Sequence, residues 1–151
     1  MANEPVRCIQ TIRHPKIKLS DPGTGKSALL GNPDKAPVRT IKMDHCLAPE
    51  GTVAADFVAS KPDLVDVIVE LKGRNVDHAA EQVDATWLFW SRHAEHTQGQ
   101  LISAWILCKQ FPQASQKAKR ALENFRNRGG KLIISTHNGE ERPFTDFVPS
   151  H

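Results

Sequence analysis

At 151 residues the chain fits one domain of ordinary size and leaves no room for two independent cores. Hydrophobic residues at 39% and charged residues at 25% are globular values, which exclude fibrous, low-complexity and wholly disordered classes. Twenty Lys plus Arg against seventeen Asp plus Glu give a net charge of +3, which permits a polyanionic partner without requiring one.

Residues 1–37 form a loop-rich segment. Pro15, Pro22, Gly23, Gly25, Gly31, Pro33 and Pro37 argue for loops around one short helix or strand. Within it, SDPGTGKSALL (20–30) resembles the nucleotide-binding loop of AAA-type ATPases, in which backbone N–H groups cradle phosphates, Lys26 reaches the outer ones and Ser27 holds Mg²⁺. The pattern, however, needs glycine where Ser20 stands. It also needs a buried strand before the loop and a long helix after it, whereas RHPKIKLS precedes and Gly31, Asn32 and Pro33 follow. ATP binding through residues 20–27 therefore stands only as an alternative, against the context of the motif.

From Val38 to residue 148 a core domain is expected. VRTIKMDHCL, VAADFVAS and LVDVIVELKG read as three strands in an antiparallel meander, separated by PEGT and KPD turns. In the third, Val65, Val67, Val69 and Leu71 share one face, which is core. Asp66, Ile68, Glu70 and Lys72 share the other, assigned to chemistry or solvent. Asp66 is expected in solvent or a turn interaction. Asp77 is a plausible N-cap for HAAEQVDATWLFW, whose Ala79, Val83, Trp87 and Trp90 fall at helical spacing. LISAWILCK (101–109) is a continuous apolar run, expected as a strand covered on both faces. SQKAKRALENFRNRGG carries an apolar stripe of Ala118, Ala121, Leu122 and Phe125 and stops at Gly129. KLIIST closes the series as a strand. The order predicts the α/β class: a mixed sheet with helices packed on it.

Hydrolysis of a phosphodiester needs metal-held oxygens to activate water and neutralise transition-state charge. An Asp at a strand end and a Glu on the neighbouring strand can share Mg²⁺, leaving water and phosphate to complete the octahedron. Asp56 and Glu70 are so placed, and strand alternation returns Lys72 to the face of Glu70, where an ammonium can orient water. The competing reading is that Glu70 and Lys72 protect an exposed edge strand. Asp44, just before a turn, is a candidate supporting acid. His78 follows the strand closely enough to reach the site, although a lone histidine is usually not a ligand. Trp87, Phe89, Trp90 and Trp105 sit in apolar runs and read as core rather than base-stacking platforms.

AADFVAS…VDVIVELKGRNVDHAAEQVDAT resembles the PD-(D/E)xK nuclease superfamily in its variant of Asp, turn, apolar strand, E-x-K-G and a helix bearing Gln. The resemblance spans about residues 38–90, with compatible elements to about 136. It departs at Ala55, where the family's proline is absent, and in the lack of an early helical acid, for which Glu4 and Asp44 are the candidates. The resemblance implies a restriction-endonuclease-like fold and a Mg²⁺- or Mn²⁺-dependent endodeoxyribonuclease. Asp56 and Glu70 would hold the metal with the Leu71 carbonyl, Lys72 would assist catalysis and Gln82 would orient the site. Lys117, Lys119 and Arg120 read either as phosphate contacts or as a solvated helix face. The partner so implied is DNA; the small size of the chain, with one site and little binding surface, adds a second copy of it or a larger recognition or motor subunit as expected partners. The alternative is a catalytically inactive nucleic-acid- or protein-binding module of the same fold.

No apolar run approaches the roughly 20 residues of a membrane span, and MANEPVRCIQ lacks a secretory apolar segment. Cys8, Cys46 and Cys108 are odd in number and widely spaced, so neither a disulfide framework nor a zinc knuckle is expected. The cytoplasm, with no membrane partner, is the location these features predict.

Overall fold

The computed structural model describes residues 7–73, 75–109 and 115–150, without the side chain of Lys72. Glu4 falls outside them. Nine strands are described: β1 (Ile9–Ile12), β2 (Lys16–Ser20), β3 (Ser27–Gly31), β4 (Val38–Lys42), β5 (Phe57–Lys61), β6 (Val65–Gly73), β7 (Ile102–Cys108), β8 (Leu132–Ser135) and β9 (Glu141–Pro143). Two α-helices accompany them, α1 (Val76–Ser91) and α2 (Gln116–Asn127).

The main sheet has the order β1-β4-β5-β6-β7-β8, antiparallel from β1 to β6 and parallel from β6 to β8. The fold is therefore mixed α/β, with the expected succession of three strands, helix, strand, helix and strand. Parallel neighbours need crossovers, and α1 and α2 supply them. Every residue of β7 is buried, which is why its sequence is a continuous apolar run.

Both faces of the sheet are covered. On one, Ile41, Val58, Ile68, Ala104 and Ile106 pack against Ala79, Val83 and Trp90 of α1 and Ala121 and Phe125 of α2. On the other, Val65, Val67, Val69, Leu71 and Trp105 pack against Ile17, Leu19, Ala28 and Leu30, with Phe144 and Phe147 of a C-terminal 3-10 turn. Those four residues belong to a second sheet of order β2-β3-β9.

Several expectations are corrected. The Pro- and Gly-rich stretch holds the β2–β3 hairpin, and β1 extends the main sheet. Alternation in KIKLS and SALLG, buried at every second residue, was hidden by the density of turn formers. The strand expected at 38–47 stops at Lys42, because Met43–Leu47 forms a kinked turn in which His45 has φ +59°. Asn75, not Asp77, caps α1, its side chain accepting from the His78 amide. Asp77 instead accepts from Ser115, which caps α2.

Asp66 is neither in solvent nor in a turn. It is fully buried and accepts hydrogen bonds from Trp90 Nε1 at 2.7 Å and Gln100 Nε2 at 2.7 Å, with His96 Nδ1 at 2.9 Å. The polar face of β6 lies under helix rather than in water, and a buried carboxylate is tolerated there because it is bonded on several sides. Cys8 and Cys46 form a disulfide joining the residue before β1 to the 43–47 turn, against the expectation of none. Such a bond does not persist in a reducing cytoplasm except as a transient or redox-sensing one.

Candidate active site

β4, β6 and β7 end, and β5 begins, on the same side of the main sheet. Phe57 pairs with Val69, so one step further along the ladder Asp56 stands across from Glu70. The placement follows from the sequence: a short turn returns the chain antiparallel, and a Val-rich strand fixes the register through its buried face. Asp56 is buried, and its Oδ2 accepts from the Leu71 amide at 2.8 Å, bonding the two strands beside Glu70.

Helix α1 holds the segment before Asp56. Thr86 Oγ1 accepts from the Ala55 amide at 2.8 Å and donates to the Gln82 carbonyl at 2.8 Å. Gln82 Nε2 donates to the Ala54 carbonyl at 3.1 Å. The Met43 amide donates to the Asp56 carbonyl at 2.9 Å, fixing the other side. Gln82 therefore acts here by holding the backbone that presents Asp56, from a helix face that also borders open space.

That space is a cavity of about 700 Å³ lined by Thr24, Lys26, Asp44, Glu70, Asn75, His78, Gln82 and Lys109. Glu70 is fully buried at its wall. A carboxylate withdrawn from water is unusual in the middle of a sheet. The edge-protection reading of Glu70 and Lys72 is overturned, because β6 lies between β5 and β7. Lys72 belongs to β6, whose register with β7 shifts between Glu70 and Gly73.

Asp44, a secondary candidate, does reach the cavity, as does His78. Four lining residues were not expected at this site: Thr24, Lys26, Asn75 and Lys109. The first two belong to the segment read as a possible ATP loop, which the structure places in the β2–β3 turn. With an antiparallel strand after it in place of a helix, that turn lacks the amide cradle of a nucleotide loop. Lys109 carried no signal beyond following an apolar strand.

Lys117, Lys119 and Arg120 are not among the cavity's lining residues. Lys117 pairs with Glu81 at 2.8 Å across the α1–α2 interface, and Arg128 with Asp84 at 2.8 Å while it stacks on Trp87. The Glu81 carboxyl is held below its usual value by its hydrogen bond to Lys117, which is correspondingly raised. Part of the basic helix thus answers acids on its neighbour, while Lys119 and Arg120 are exposed.

Glu70 and Asp44 line the cavity, whereas Asp56, across the ladder from Glu70, is not among its lining residues. Glu70, Asp56 and Asp44 offer oxygen only, the ligand type Mg²⁺ and Mn²⁺ take. Among the described residues no three His, Cys, Asp or Glu side chains stand close enough to hold a metal by themselves. Mg²⁺ does not need three, since one or two carboxylates with water and a substrate phosphate suffice. No helix among the described residues is long and apolar enough to cross a membrane. No protein-family model, curated protein or solved structure matches the chain.

Proposed function

We propose that the chain is a metal-dependent nuclease that hydrolyses DNA phosphodiester bonds, with a restriction-endonuclease-like core. The observation that carries this reading is the cross-strand placement of Asp56 and Glu70, with Glu70 lining a cavity that also holds two lysines. Glu70 and Asp56, with the Leu71 carbonyl, would hold Mg²⁺ or Mn²⁺. The bound ion would supply an activated water and charge neutralisation at the phosphorus.

The remaining chemistry belongs to the chain. The Leu71 amide fixes the rotamer of Asp56, and Gln82 and Thr86 fix the backbone before it. Lys72, two residues beyond Glu70, is the group assigned to orienting the attacking water. A second copy of the chain, or a larger recognition or motor subunit, would supply specificity that one small cavity does not; a monomeric mass in solution would remove the first.

The test compares wild type, Glu70→Gln and Lys72→Ala on plasmid and single-stranded DNA with Mg²⁺, Mn²⁺ or EDTA. Metal-dependent nicking is expected in wild type, with a loss of at least roughly 10²-fold in either variant. A folded wild type that cuts nothing under any condition would favour an inactive binding module of the same architecture.

A further inference from the structure

The nuclease reading leaves the GTGKS segment without a role, yet the structure brings it to the site. Strands β2 and β3 pack on the face of the sheet opposite the helices, while the turn joining them reaches the cavity with Thr24 and Lys26. The turn is built rather than loose. Asp21, itself buried, accepts from the Gly23 amide through Oδ1 at 3.1 Å and from Thr24 Oγ1 through Oδ2 at 2.9 Å. Its backbone closes the loop through Asp21 N to the Lys26 carbonyl at 2.9 Å and Gly25 N to the Asp21 carbonyl at 2.8 Å. Gly25 takes φ +72°, which a side chain would resist. At the root of the turn, the Ser27 amide donates to Asn138 Oδ1 at 2.8 Å, tying the hairpin to the C-terminal segment.

Lys26 is half-buried, and Lys109, at the end of β7, is exposed at the same cavity. Burial pushes the Cys108 thiol up, while the Lys26 charge opposes that shift, so the Lys26 ammonium lies near the end of β7. Two cations from different elements therefore line one cavity together with Glu70. A metal at the carboxylates would engage one phosphate oxygen; a phosphate remaining outside it needs cations of its own.

We propose that Lys26, held by the Asp21-braced turn, forms with Lys109 a clamp for a backbone phosphate of the nucleic-acid strand entering the Glu70 cavity. The clamp rests on reading that cavity as a phosphodiester site. Lys26 contacts the substrate, and Asp21 is a positioning residue acting through the turn.

The experiment measures binding of a short fluorescein-labelled single-stranded DNA by fluorescence anisotropy, in EDTA, with the Glu70→Gln protein as the reference. That background prevents cleavage and removes the carboxylate charge that would repel phosphate in the absence of metal. Adding Lys26→Ala is expected to weaken binding roughly tenfold and to lower the slope of log affinity against log salt by about one. Asp21→Ala should weaken binding and Lys26→Arg should preserve it. Lys18→Ala, an equal loss of charge on the exposed face of the same hairpin, should leave affinity within about twofold.

Equal losses in Lys26→Ala and Lys18→Ala would reduce the effect to net charge and overturn the clamp, as would no loss in Lys26→Ala. Absence of binding by the reference protein at low salt would overturn it too. Metal-dependent cleavage by wild type, scored separately, would then stand or fall independently. Binding that needs Lys26 in a protein that never cuts DNA would keep the clamp and remove the nuclease.

Discussion

Asp66 and Glu70 share one face of β6 and are both fully buried, yet they do different work. Asp66 is enclosed by Trp90, His96 and Gln100, whereas Glu70 lines the open cavity four residues along. Asp66→Ala would leave those three groups without their common acceptor at a cost of about 3 kcal/mol. Urea denaturation should show this as a lowered midpoint at unchanged slope. A midpoint equal to that of wild type would mean that the network contributes no stability. Asp66→Asn, which keeps one acceptor oxygen, should lie between the two. Glu70→Gln should spare the fold by comparison, because its expected loss is in metal-dependent cleavage.

At the scale of elements, the α2–β8 connection is fixed by two glycines for different reasons. Gly129, at φ +88°, ends α2 with its amide on the Arg126 carbonyl, and Gly130 follows with its amide on Phe125. A Cβ on Gly130 would stand 2.1 Å from the Ile102 carbonyl oxygen, on the backbone that starts β7. Gly130→Ala must therefore push the connection off the sheet, at roughly 1–3 kcal/mol, visible as a lowered Tm. An unchanged Tm would show that the connection moves without cost.

The Lys117–Glu81 pair joins α1 to α2 at the surface. Glu81 is lowered, so its contribution is present above its unfolded pKa and lost as pH falls through the folded one. Lys117 is raised, so its contribution is present below its unfolded pKa and lost as pH rises through the folded one. Lys117→Ala should move the Glu81 titration, followed by carbon-13 NMR, up towards 4.5, with little change in stability because both groups are exposed. A Glu81 titration that stays put would show that the pair does not persist in solution.

Across the whole molecule, one disulfide ties the start of the main sheet to the turn carrying Asp44, and Cys108 lies buried with a raised thiol pKa. Native protein should react negligibly with a thiol reagent at neutral pH. Unfolded without reductant it should show one thiol per chain, and with reductant three, the full cysteine complement. Reduction should cost roughly 2–4 kcal/mol by releasing the closed loop. Three thiols in unreduced, unfolded protein would remove the bond and return the chain to the reducing location first expected.

The local pattern determined the strands from Val38 to Gly73, α1, β7, α2 and β8, because each has a period or an apolar run that one backbone conformation satisfies. It also brought Asp56 and Glu70 together, since a short turn and a Val-rich strand leave little choice of register. Tertiary structure alone decided which polar groups are buried and what meets at the cavity. Asp66 looked solvent-facing because alternation says which residues share a face, not what covers it. Cys8 and Cys46, 38 residues apart, pair only because β1 joins β4. Lys26 sits in a turn whose motif suggests a nucleotide loop. Its place at the Glu70 cavity depends on a hairpin packed on the far face of the sheet, a long-range arrangement that no local signal encodes.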